Sequence, residues 1–268
     1  MSSAPGAQVT PNVIPTGYEF LTCLTENTVW TPPEDGFYRI NVFGKCADGG
    51  NGQNGVYTFG GALTFRSGGY GGASGGFSRS LLSLSTNDRI NCTVTDAITS
   101  FGDYLSATGA TGQTGVGKGS GGNLFNLNGF SGGSPGASVN PSNGQAGGNN
   151  GGSGGVGFAD PNPLSSGGGG GARIPVPEVD YDDPLYTTYT VTSLAQYRGG
   201  NAQVGYNQGS GYPGSSYPAF NPKSPVIYGG GNGGGGGHDN DSYSSYVKRG
   251  GKGSAGSPAC IIIEKGVY

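Results

Sequence analysis

Apolar and polar residues alternate along Phe37–Lys45 (FYRINVFGK), the period-two pattern of a half-buried strand. Pro32, Pro33, Asp35 and Gly36 supply a turn ahead of it. Phe20–Leu24 (FLTCL) predicts an earlier strand. Gly76–Leu84 and Arg89–Thr95 predict a hairpin, with FSRSLLSL and RINCTVT joined by a turn at Ser85–Asp88. Ser100–Ala107 (SFGDYLSA) predicts one short strand and Cys260–Glu264 (CIIIE) a closing one. Few windows join good helix formers to a 3.6-residue period, so no helix is expected.

Between these strands the pattern gives way to glycine, 60 of 268 residues, gathered in runs. The longest pure runs are Gly167–Gly171 and Gly233–Gly237, and looser ones cover 44–76, 109–157, 199–214, 228–237 and 249–257. Glycine loses the most backbone entropy on ordering and brings no side chain to pack. Gly/Ser tracts are normally flexible linkers. Two features oppose that reading here. Aromatics are 10% of the chain, with 16 Tyr and 11 Phe, where disordered chains usually lack them. Strand-like segments also bracket the runs at both ends, and structureless loops of that length do not occur inside compact domains. The runs therefore need an architecture of their own. Polyglycine II helices meet the requirement, with three residues per turn and no internal hydrogen bonds. Their N–H and C=O groups point outward, where neighbouring chains satisfy them. There is no strict G-X-Y repeat, which excludes collagen.

The expected fold is all-β with polyglycine II helices. An extended arm at 1–17 precedes a small antiparallel β-sandwich at 18–108, completed by a C-terminal strand at 259–265. A glycine-rich part at 109–258 carries Tyr-rich loops. Those loops, Ala159–Ser166, Arg173–Arg198, Tyr212–Tyr228 and His238–Arg249, are rich in Tyr, Pro, Asp, Ser and Asn. Tyr with Ser, Gly and Asn is the composition of binding surfaces that combine stiff contact area with adaptable polar groups. The alternative is that these tyrosines cap the scaffold ends and serve solubility. The contact candidates are Tyr181, Tyr186, Tyr189, Tyr197, Tyr206, Tyr212, Tyr217, Phe220, Tyr243 and Tyr246. Aromatic faces suit both sugar stacking and protein hot spots.

Charge and motifs narrow the chemistry. A net charge of −3 argues against nucleic acid as a partner. The longest apolar run is far short of a membrane span, and the N-terminus has neither the basic nor the apolar region of a secretory signal. Cys23, Cys46, Cys92 and Cys260 form no CxxC pair, which leaves a zinc site unsupported. They are expected to be reduced, buried and small-apolar in role. His238, beside Asp239 and Asp241, reads as a solvated loop residue rather than part of a triad. Gly112–Gly119 (GQTGVGKG) nearly matches a phosphate-binding loop, but Gly119 stands where Ser or Thr is needed and no helix follows. Asp180, Asp182 and Asp183 lack the spacing of a calcium loop. No catalytic constellation, cofactor or metal site emerges.

Trp30-Thr31-Pro32-Pro33-x-x-Gly36, the strand after it and the run FGKCADGGNGQNG resemble the glycine-rich domain of phage tail and receptor-binding proteins. SFGDYLSATGATGQTG and GGKGSAGSPACIIIEK fit the same pattern, so the resemblance spans 18–268. The alternation of glycine runs with Tyr-rich loops is similar to the distal tail-fibre adhesins of T-even-type phages. In those, a polyglycine sandwich carries variable loops that touch the bacterial receptor. The resemblance implies a non-enzymatic virion protein at a tail or fibre tip, assembled in the host cytoplasm. Its partners would be a bacterial surface protein or glycan and another virion tail or fibre protein, the latter held through the N-terminal arm or the β-part. It departs from those adhesins in having only a short segment before the first strand. The competing reading is a structural baseplate, tail-tip or capsid-decoration component without receptor contact.

Overall fold

The computed structural model describes residues 15–53, 67–136, 143–148, 151–155, 167–175, 190–191, 214–216, 219–223, 226–227, 229–234 and 250–268. These residues form an all-β protein with no helix among them. In chain order the strands are β1 (Gly17–Leu24), β2 (Thr28–Trp30), β3 (Gly36–Phe43), β4 (Phe77–Leu84), β5 (Ile90–Val94) and β6 (Ile98–Phe101). They continue with β7 (Leu105–Thr108), β8 (Gly119–Ser120), β9 (Phe125–Leu127), β10 (Thr190–Val191), β11 (Val226–Ile227) and β12 (Cys260–Val267). Two antiparallel sheets, β1-β12-β3-β4-β9 and β2-β5-β6-β7-β8, face each other, and β10 and β11 form a separate parallel pair.

The core between the sheets follows from the alternation read in β3. Tyr38, Ile40 and Val42 point inward, meeting Leu84, Ile90, Cys92, Phe101, Leu105, Ile261 and Ile263. Trp30 closes this core, its ring 5.5 Å from Tyr38 and 5.7 Å from Phe101 between centroids. The outer face of the first sheet is covered too. Phe43, Phe77, Cys260 and Ile262 pack there with Cys46 and Ile174. Being covered on both faces, β12 carries an unbroken Cys260–Ile263 apolar run where a half-exposed strand would alternate.

Three expectations are corrected. Gly76–Leu84 and Arg89–Thr95 do not form a hairpin. β4 pairs with β3 and β9, whereas β5 pairs with β2 and β6. The Ser85–Asp88 turn is real, with the Asp88 N–H donating to Ser85 O at 3.0 Å, but it carries the chain from one sheet to the other. Ser100–Ala107 is not one strand. It contains a bend between β6 and β7, where Gly102 at φ 54° takes the left-handed geometry a tight connection requires. Finally, the sandwich does not end at 108, since β8 and β9 supply an edge strand to each sheet.

The glycine segments extend the first sheet lengthwise. β3 runs into 44–53, and 67–76, 129–136 and 250–257 adjoin β4, β9 and β12. Within this row the bonds step by three residues. The N–H groups of Gly44, Ala47, Gly50 and Gln53 donate to the carbonyls of Gly76, Ala73, Tyr70 and Ser67. Those of Cys46, Gly49 and Gly52 donate to Ser257, Ser254 and Gly251 on the other side. The third set of positions, Lys45, Asp48 and Asn51, carries the polar side chains. A pleated strand presents its groups with period two, so 44–53 does not continue the pleat of β3.

A second row, 229–234, 167–172, 143–148 and 151–155, packs on the first. Gly169 and Ala172 donate to Gly69 and Gly72 of the first row, and Gly170 and Arg173 donate to Gln145 and Gly148 within the second. Gly167–Gly171 and the described part of the other long run, Gly233 and Gly234, are buried and bonded to neighbouring segments.

Candidate functional site

The glycine segments all start or stop at two levels. Near the sandwich lie Gly44, bonded to Gly76 at 2.9 Å, and Ser257, bonded to Gly229 at 2.8 Å. At the far level Gln53 bonds Ser67 at 2.9 Å, Gly136 bonds Gly167 at 3.0 Å and Gly155 bonds Gly168 at 2.8 Å. Gly234 bonds Gly50 there at 3.0 Å, and Gly52 bonds Gly251 at 2.9 Å. These far-level residues flank segments 54–66, 137–142, 156–166 and 235–249. The four segments are therefore rooted together, at the end remote from the sandwich. The chain termini are rooted at the opposite end, where Gly17 pairs with Val267 and Thr16 donates to Val267 O at 2.8 Å.

Tyr243 and Tyr246 belong to 235–249, a far-end segment, but themselves lie outside the described residues, as do Tyr181, Tyr186, Tyr189, Tyr197, Tyr206, Tyr212 and Tyr217. Phe220 is described. It is half-buried and packs against the outer-face core with Phe43 and Ile174. Its neighbours Ala219, Asn221, Pro222 and Lys223 are exposed. His238, Asp180, Asp182, Asp183, Asp239 and Asp241 are also outside the described residues. Among the described residues no group of three or more His, Cys, Asp and Glu side chains is arranged to hold a metal ion.

Two features escape the sequence reading. Segment 54–66 contains Tyr57, Phe59 and Phe65. Its inclusion in the 44–76 glycine run hides a third aromatic segment flanked by far-level residues, beside 156–166 with Phe158 and 235–249 with Tyr243 and Tyr246. Tyr70 stands alone among glycines with its ring exposed over Gly50; a Cβ on Gly50 would meet the ring carbons at 2.9 Å. The legible signal for both was an aromatic residue inside a glycine run, where side chains are otherwise excluded.

The electrostatics of the described part are structural. Glu264, buried on the outer face of the first sheet, accepts from Arg39 at 2.5 and 2.8 Å and from Asn41 at 2.8 Å. Arg79, also buried, donates to Asn41 Oδ1 at 2.6 Å and lies 5.3 Å from the Phe77 ring centroid. Lys45 pairs with Asp96 at 2.7 Å, and that bond raises the lysine above its ordinary range. Within the second row, buried Asn232 ties three segments together. Its Oδ1 accepts from Gly171 at 3.0 Å, its Nδ2 donates to Ser215 O at 2.9 Å, and its backbone N–H donates to Ser254 Oγ at 2.8 Å.

No protein-family model matches this chain, and no curated protein matches it.

Proposed function

We propose that this chain is a non-enzymatic virion protein at a phage tail or tail-fibre tip. It binds a bacterial surface protein or glycan through aromatic loops held on a polyglycine II scaffold. The observation that carries this reading is the two-ended layout. Segments 54–66, 137–142, 156–166 and 235–249 are rooted at one end and both termini at the other. An attachment protein needs this polarity, because its junction to the virion and its receptor surface must not compete for space. The backbone bundle between the two ends supports it as well. Each segment is fixed to several neighbours by main-chain bonds, so loop sequences can vary without disturbing what positions them. The virion-side partner takes the end that carries the arm and β1.

The test is competition for adsorption. Host bacteria preincubated with the purified protein should lose phage adsorption in proportion to the protein bound. Unchanged adsorption at saturating protein sinks the receptor-binding reading and leaves a structural tail-tip or decoration role.

A further inference from the structure

Three of the four thiols gather on the outer face of the first sheet. Cys23 on β1, Cys260 on β12 and Cys46 just beyond β3 all belong to the core that covers it. Cys92 lies in the other core, between the sheets. The antiparallel register places Cys23 opposite Ile262, which makes Cys260 its diagonal neighbour on the same face. Both side chains pack in the same outer-face cluster. A bulge between Phe20 and Thr22 sets this arrangement, because it keeps Phe20 and Cys23 on one face although they are three residues apart.

The three thiols are not equivalent. Cys46 is fully buried and its Sγ accepts the Gly75 N–H at 3.3 Å. Cys260 is fully buried as well. Cys23 is half-exposed on an edge strand and is the one within reach of a reagent.

We propose that Cys23 and Cys260 form a disulfide by exchange with a small-molecule disulfide such as oxidised glutathione, stapling the first strand to the last. The Cys23 thiolate attacks one reagent sulfur, which breaks the reagent S–S bond and releases one small thiol. Cys260, giving up its proton, then attacks the Cys23 sulfur of the mixed disulfide and releases the second small thiol. Two protein thiols are oxidised, the reagent disulfide is reduced to two thiols, and both protons leave on those products. The pair is diagonal, so bond formation draws the strands together. β1 is able to follow, being a bulged strand with no further strand on its outer side among the described residues. The inference is independent of host binding and stands or falls on thiol chemistry alone.

The experiment uses the folded full-length chain. It is incubated with excess oxidised glutathione, trapped by alkylation under denaturing conditions and mapped by proteolysis and mass spectrometry. The expected product has lost two alkylatable thiols and contains a reducible Cys23–Cys260 peptide pair, with Cys46 and Cys92 still alkylated. Cys46→Ser should leave the cross-link intact. Cys23→Ser should abolish it and leave Cys260 unmodified. A lasting glutathione adduct on Cys23 beside a free Cys260, a Cys23–Cys46 link, or four remaining thiols would each overturn the proposal.

Discussion

Single residues in this protein are constrained by backbone as much as by side chains. Gly71 is the clearest case, since a Cβ there would lie 1.8 Å from the Gly170 carbonyl oxygen, and that oxygen belongs to the row packed above it. Backbone cannot rotate aside as a side-chain tip does. Gly71→Ala should therefore destabilise by about 3 kcal/mol or more, the upper part of the range for overpacking. Gly36 offers the control, because its nearest obstacle is the Tyr268 hydroxyl at 3.5 Å. Gly36→Ala should stay within about 0.5 kcal/mol of the parent, and equal effects in chemical denaturation would refute the packed-backbone account. Glu264 presents the opposite problem, a charge that the fold must satisfy. Glu264→Gln leaves the buried Arg39 guanidinium without its carboxylate and should cost about 3–5 kcal/mol. Cys46 adds a pH dependence, for burial pushes its thiol from 9.0 up to about 12. The folded state holds the proton more tightly than the unfolded state does. Its contribution is therefore complete below pH 9 and declines as pH rises toward 12. Over that window Cys46→Ala should lose stability less steeply than the parent, as followed by denaturant midpoints.

At the scale of elements, the period of the hydrogen bonds separates the two kinds of extended chain. In 44–53 the amides of Cys46, Ala47, Gly49, Gly50, Gly52 and Gln53 bond to adjacent segments, and Lys45, Asp48 and Asn51 occupy the remaining direction. Amide exchange should therefore be slow at two positions of every three and fast at Lys45, Asp48 and Asn51. Alternating protection would mean a pleated strand and defeat the three-fold reading. That spacing, K-x-x-D-x-x-N among glycines, stands in the sequence, but it becomes a polar ridge only through the three-residue step of the bonds. The side chains of Asp48 and Asn51 also accept the N–H groups of Gly256 and Gly253, both at 2.9 Å, so the ridge ties segments together. The alternation in β3 and the apolar run of β12 were readable in the sequence, because burial dictates side-chain type directly. Strand pairing was not. Nothing local in FSRSLLSL or RINCTVT tells whether Ser85–Asp88 reverses the chain within a sheet or passes it across to the other; β9 and β2 decide that, and they come from elsewhere in the chain. β8 and β9 escaped notice because they are only two and three residues long and sit in a glycine-rich stretch.

For the whole molecule, the register of β12 sets the plan. The last strand lies between β1 and β3, so the first sheet closes only once β12 is in place. The described glycine segments run between the sandwich and a far level, where the residues flanking 54–66, 137–142, 156–166 and 235–249 lie. The candidate site was legible only as composition, Tyr with Ser and Asn between glycine runs. The common end of the segments 54–66, 137–142, 156–166 and 235–249 emerged from hydrogen-bond register, which no single segment encodes, and of the Tyr candidates only Tyr243 and Tyr246 belong to these segments. Phe220 shows the limit of composition, because a Phe in a Pro-rich loop reads the same whether it faces a partner or packs beneath β3 and β4. The two-ended layout makes a prediction that composition alone does not. A short polar epitope inserted into 235–249 should leave the unfolding midpoint unchanged, since the flanking residues Gly234 and Gly251 adjoin. The same insertion should abolish binding to host cells. Fusion of a compact domain ahead of Met1 should leave cell binding intact, because Pro15 and Thr16 lie at the Gly17–Val267 end. Labelled protein counted on bacteria by flow cytometry reads both variants, with the unfolding midpoint measured on the same preparations. If the fusion abolishes binding and the insertion does not, the receptor surface lies at the sandwich end and the proposed orientation of the molecule on the virion is reversed.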